Sequence, residues 1–171
     1  SLQGHRGIVE ILEVLKANIN QSAGDGRTKL FVACLHNHID VCRCLISFGA
    51  DCNSQDEKGA TPLLAAIQEG SLEIVELFLR NKALVNLPNH IGFTPLHSAA
   101  SHGHYEICCK LIDAGAEISI KDYLQGLTPI FSAVQKGSPA NVVELLLNKG
   151  ANTNDTDDDG DTILHIAAMN N

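Results

Sequence analysis

The chain has 171 residues, 44% of them apolar, only 4% aromatic and none of them Trp, so small and aliphatic side chains must do the packing. Its net charge is −8, shared unevenly: residues 1–85 carry eight basic and ten acidic side chains, residues 86–171 four and ten. That balance argues against a nucleic-acid partner, which needs clustered Lys and Arg; no apolar run approaches the ~20 residues of a membrane helix, and no signal peptide opens the sequence.

The pattern that organises the chain is a repeat. Thr28, Thr61, Thr94, Thr128 and Thr162 recur at spacings of 33, 33, 34 and 34 residues, each two positions after a glycine (Gly26, Gly59, Gly92, Gly126, Gly160). A period in this range means stacked small units rather than one closed core. Taken in order, residues 1–22 read as a partial unit, because Gly4 to Asn20 aligns with Gly70 to Asn86. Units follow at 23–55, 56–88, 89–122 and 123–156, and residues 157–171 begin another. The 171 residues are therefore expected to form a single array, and one that continues beyond both ends.

Within the unit 56–88, Asp56 to Ala60 is polar with a glycine, hence a turn. Thr61-Pro62 opens a short helix over Leu63–Glu69, with the Thr as cap and the Pro at a position that loses no hydrogen bond. Gly70 ends it in the left-handed region. A second helix follows over Leu72–Leu79, its apolar residues at three- and four-residue steps. The other units align position by position, with departures. Lys29 and Ile163 replace the Pro, Asn37 the glycine after the first helix, and Lys16 and Lys82 the glycine after the second. One residue is inserted near Asp122–Gln125 and another near Ser138–Ala140.

Thr94 to Ala100 with Gly103-His104, and Gly49-Ala50-Asp51-Cys52-Asn53, reproduce the T-P-L-H-x-A-A, Gly-His and Gly-Ala-x-x-Asn signatures. The chain thus resembles the ankyrin-repeat family along its whole length. The resemblance implies an all-α ankyrin-repeat solenoid: helix–turn–helix units carry protruding β-hairpin fingers, and fingertips and first helices line a concave face that binds proteins. It implies no enzyme and no cofactor.

Candidate chemistry is weighed against this register. Asp155 to Asp161 opens like a calcium loop, but Ile166 stands where the bidentate Glu is needed, so an acidic fingertip is the better reading. Cys34, His36, His38, Cys42 and Cys44 look like zinc ligands in line. By register, however, Cys34, Cys42 and Cys44 fall at core positions (compare Ala100, Val75 and Leu77), so no metal is expected. His97 and His165 have no nucleophile–base company, and the resemblance gives them a structural bond. The six cysteines follow no disulfide-framework spacing, which suits reduced thiols in a cytoplasmic or nuclear protein. Cys109, opposite Glu76, is expected at the surface.

By register, the expected partner-binding residues are Glu57, Glu69, Ile91, Phe93, His102, Tyr123, Leu124 and Leu127, with Asp157, Asp158, Asp159 and Asp161 as an acidic rim. An apolar group beside an acidic rim suits a basic and hydrophobic peptide or domain, without nucleic acid or direct membrane contact. Finger-to-finger packing would instead hide Phe93 and Leu127. Asn53 lies in a pattern that resembles the substrate of an asparaginyl hydroxylase, against a structural role in its turn. The function expected is an interaction module or adaptor. The alternative is a regulatory array within a larger channel, kinase or ubiquitin ligase.

Overall fold

The computed structural model describes residues 19–170; the expectations for the partial unit 1–22 and for Lys16 fall largely or wholly outside them. Among the described residues the regular structure is helical: α1 (Lys29–Leu35), α2 (Ile39–Ser47), α3 (Pro62–Gln68), α4 (Leu72–Arg80), α5 (Pro95–Ser101), α6 (Tyr105–Asp113), α7 (Pro129–Gln135), α8 (Ala140–Asn148) and α9 (Ile163–Met169). The chain divides into two compact units at Ala83/Leu84. In the first, α1 packs on α2 and α3, α3 on α4, and α2 on α4. In the second, the first helices α5, α7 and α9 stack in succession, α6 packs on α5 and α8, and α8 on α7.

Each first helix starts the same way. The capping Thr is extended, with ψ between 161° and 167°. Thr28 accepts from the Phe31 N–H and Thr61 from the Leu64 N–H, at 3.3 and 3.2 Å. α1 and α9 form without the Pro, α1 on the Thr28 cap and α9 where Thr162 bonds the His165 ring. After the first helix, Gly70 (φ 67°) lets the N–H groups of Gly70 and Ser71 reach back to Ile67 and Ala66. Asn37 (φ 53°) and Lys82 (φ 61°) hold the same left-handed conformation with a side chain. Asn tolerates it; for Lys it costs about 1–2 kcal/mol.

The small residues of the motif sit where helices touch. Ala65, Ala66, Ala99, Ala100 and Ala133 are buried, and around them lie Leu63, Ile74, Val75 and Phe78 in the first unit and Leu96, Ile130, Phe131 and Leu146 in the second. Each large apolar side chain so buried contributes about 1.5–3 kcal/mol. Cys34 and Cys42 belong to this core, whereas Cys44 is only half-buried.

The fingers are not confirmed as β-hairpins: the described residues hold isolated bridges, Ser22 to Thr28 and Thr156 to Thr162, and no strand. Most are tight loops with a backbone bond between their ends, Asp56 to Ala60, Asn89 to Phe93, Asp122 to Leu127 and Asp157 to Asp161, and three add a second inside it, from Gly59 to Asp56, Gly92 to Asn89 and Gly160 to Asp157. The physical reason is the first residue of each loop. Its side-chain oxygen takes the N–H groups that a partner strand would otherwise pair. Asp56 Oδ1 accepts from Lys58 and Ala60, Asn89 Oδ1 from Ile91 and Phe93, and Asp157 Oδ1 from Asp159 and Asp161. Asp122 accepts from Leu124 and Gln125, so the inserted residue is held by the same device.

Candidate functional site

In the second unit the fingers join tip to tip. The Tyr123 N–H donates to the Ile91 carbonyl (2.8 Å), and the Asp158 N–H to the Gln125 carbonyl (2.9 Å). Two glycines make this approach possible. A Cβ on Gly92 would stand 2.7 Å from the Tyr123 nitrogen, and one on Gly126 would collide with the Asp158 carboxylate. In the first unit, Glu57 N–H donates likewise to the Asp25 carbonyl, and Gly26 faces the Asp56–Glu57 backbone. Arg27 there lies between Asp25 and Asp56, at 3.6 and 3.7 Å, and over the Phe31 ring.

The row so formed in the second unit is apolar at its centre. Tyr123 is 68% exposed, Leu124 65% and Ile91 40%. Asp158 and Asp159 follow, both exposed. Other expected residues fall elsewhere. Leu127 is buried, so it leaves the contact set and serves the core. Phe93 is half-buried with its ring 5.1 Å from that of His97, which is the packing role weighed against contact. Asp157 and Asp161 are half-buried, and Asp157 spends its carboxylate on its own loop. His102 is exposed, donating from Nδ1 to the Ser98 carbonyl at 2.8 Å and stacking on His104. Glu57 and Glu69 are exposed on the first unit.

His97 is wholly buried. Its Nδ1 accepts from the Thr94 N–H (3.2 Å) and the Thr94 hydroxyl (2.8 Å), so Nε2 carries the proton and donates to the Leu127 carbonyl at 2.9 Å. Burial pulls its pKa below the usual imidazole range, partly opposed by the Leu127 bond. The ring therefore ties one repeat to the next as a neutral group. His165 makes the same local bonds to Thr162 but is exposed.

Asn53 is half-buried, with its N–H on the Asp51 carboxylate. The equivalent asparagines are structural: Asn20 Oδ1 takes the Asp51 N–H, and Asn86 Oδ1 the Glu117 N–H. Cys109 is half-buried. Among the described residues no group of three or more His, Cys, Asp and Glu is placed to hold a metal, and no helix is long and apolar enough to cross a membrane. A shallow pocket of about 410 Å³ beside α1 is lined by Gln21, Ser22, Arg27, Lys29 and Val32 among others, without a nucleophile–base pair.

Sequence reasoning missed two features. One is the loop-closing Asp or Asn, whose signal was present: an Asp or Asn stands five or six residues before Thr61, Thr94, Thr128 and Thr162. The other is the partner of the asparagines that the register aligns: Asn20 and Asn86 each take a backbone N–H about one repeat further on, at Asp51 and Glu117.

A search of the curated proteins found no match. The family model described as "Ankyrin repeats (3 copies)" matches residues 1–89, 46–122 and 121–171. Repeats of this kind generally serve as protein–protein interaction modules and are typically not enzymes. With the period, the capped helix pairs and that match in agreement, the chain belongs to the ankyrin-repeat family.

Proposed function

We propose that the second unit is an adaptor surface for a basic and hydrophobic segment of another protein. Tyr123, Leu124 and Ile91 are its apolar anchor, and Asp158 and Asp159 its steering charge. The observation that carries this reading is the row of joined fingertips, with large apolar side chains on hydrogen-bonded loops beside two exposed carboxylates. Apolar side chains that point outward from a braced loop contribute nothing to the core. A tyrosine there supplies contact area at small entropic cost. Residues 86–171, with four basic and ten acidic side chains, add a favourable field for a cationic partner.

The test is association with a partner-derived basic peptide at several ionic strengths. Asp158→Lys with Asp159→Lys should slow association several-fold at low salt and flatten its salt dependence. Asp157 is left intact because it closes the loop. An unchanged rate would remove the acidic half of the proposal. Tyr123→Ala with Leu124→Ala should weaken affinity by about 2 kcal/mol or more, roughly 30-fold.

A further inference from the structure

Cys34 in α1 and Cys42 in α2 lie in one repeat, on opposite sides of the turn at His36–His38. Both are wholly buried, and their sulfurs are 3.6 Å apart. The equivalent residues of the next repeat, Ile67 and Val75, are an apolar pair in the core. Here the same place holds two thiols with nothing between them. A disulfide needs a sulfur separation of about 2.05 Å, so closure asks for about 1.5 Å of approach shared by two side chains.

We infer that Cys34 and Cys42 form a redox staple, closing to a disulfide that ties α1 to α2 when the protein meets hydrogen peroxide. The hydrogen bond between the thiols divides their roles. It pushes the Cys34 thiol up, with burial adding to the effect, and draws the Cys42 thiol down. Cys42 is therefore the more readily ionised thiol and the one that attacks, losing its proton as it does so. Its sulfur bonds to one peroxide oxygen as the O–O bond breaks, and the departing hydroxide takes up the Cys42 proton as water. The Cys34 sulfur then attacks the sulfenic sulfur: the S–S bond forms, the S–O bond breaks, and the second hydroxide leaves as water with the Cys34 proton. Two thiols are oxidised and one peroxide is reduced to two waters.

Peroxide reaches a buried pair by local opening. The features that favour opening here are the exposed turn residues His36, Asn37 and His38, and Val32, 42% exposed where the equivalent Ala65 is 1%. Once closed, the bridge restrains this helix pair in the unfolded chain and stabilises the repeat.

The sequence supplies a clean test. Cleavage after Lys29 and Arg43 releases residues 30–43, which contain Cys34 and Cys42 and no other cysteine. Native protein is treated with hydrogen peroxide, unfolded, alkylated and digested without reductant. The expected product is this peptide unalkylated and lighter by two hydrogens, together with a Tm that rises on oxidation and returns with dithiothreitol. Recovery of the peptide doubly alkylated, as sulfinic acid, or linked to another cysteine overturns the inference. Cys42→Val copies the residue at Val75 and should abolish the reversible Tm shift; a shift that persists also overturns it.

Discussion

Thr94 and Thr128 occupy one register position with opposite energetics. Thr94 accepts from the His97 N–H and also bonds the His97 ring. Thr128 has Phe131 in place of that His, and its buried hydroxyl finds no partner. Thr94→Val should cost about 1–2 kcal/mol, because it strips a cap and leaves a buried imidazole nitrogen with a poorer partner. Thr128→Val should raise stability by up to about 1 kcal/mol, since an unsatisfied hydroxyl leaves the core. Urea midpoints of the two variants decide the matter; equal losses would contradict it. Ser98, also buried and unpaired, should tolerate Ala, the residue at the equivalent Ala65. His97 adds a pH dependence. Its folded pKa lies below the usual value of about 6.5, so the unfolded chain takes up the proton first. The stability it contributes is complete above that range and is lost as pH falls through the folded value. His97→Phe should flatten this slope in urea titrations taken at descending pH.

At the scale of the element, the helices were legible and the fingers were not. The Thr cap, the Pro and the left-handed Gly70 mark α3 at both ends, and the structure places it at Pro62–Gln68. Those signals are local, so sequence carries them. The finger depends on a side chain folding back on its own backbone and on contact with the next finger, and neither shows in hydropathy. Leu127 illustrates the limit: its register position before Thr128 suits either partner contact or finger packing, and it lies buried, its carbonyl receiving the His97 bond. Two substitutions probe the elements. Lys82→Gly should stabilise the first unit by about 1 kcal/mol by relieving a left-handed Lys. Gly92→Ala should destabilise the second by more than that, because its Cβ meets Tyr123 and its φ of 80° suits glycine alone. Thermal melts of both variants give the signs directly.

For the molecule as a whole, the repeat register was legible because five threonines and five glycines keep one frame along the chain. The candidate surface was legible in part. Register named Ile91, Tyr123 and Leu124, and the structure exposes them. It withdrew Leu127, half-covered Phe93 and gave Asp157 a structural task. Exposure is set by which side chains turn back onto their own loop, as Asp157 does, or pack on a neighbour, as Phe93 does on His97, and a linear pattern does not encode that. What remains is a braced apolar row with two carboxylates beside it. Selection of a random peptide library on the folded protein tests its function most directly. The account predicts enrichment of sequences that pair Lys or Arg with large apolar residues, and loss of their binding to the Tyr123→Ala, Leu124→Ala protein. Enriched peptides that lack basic residues, or that bind this variant as tightly as the parent, would contradict it.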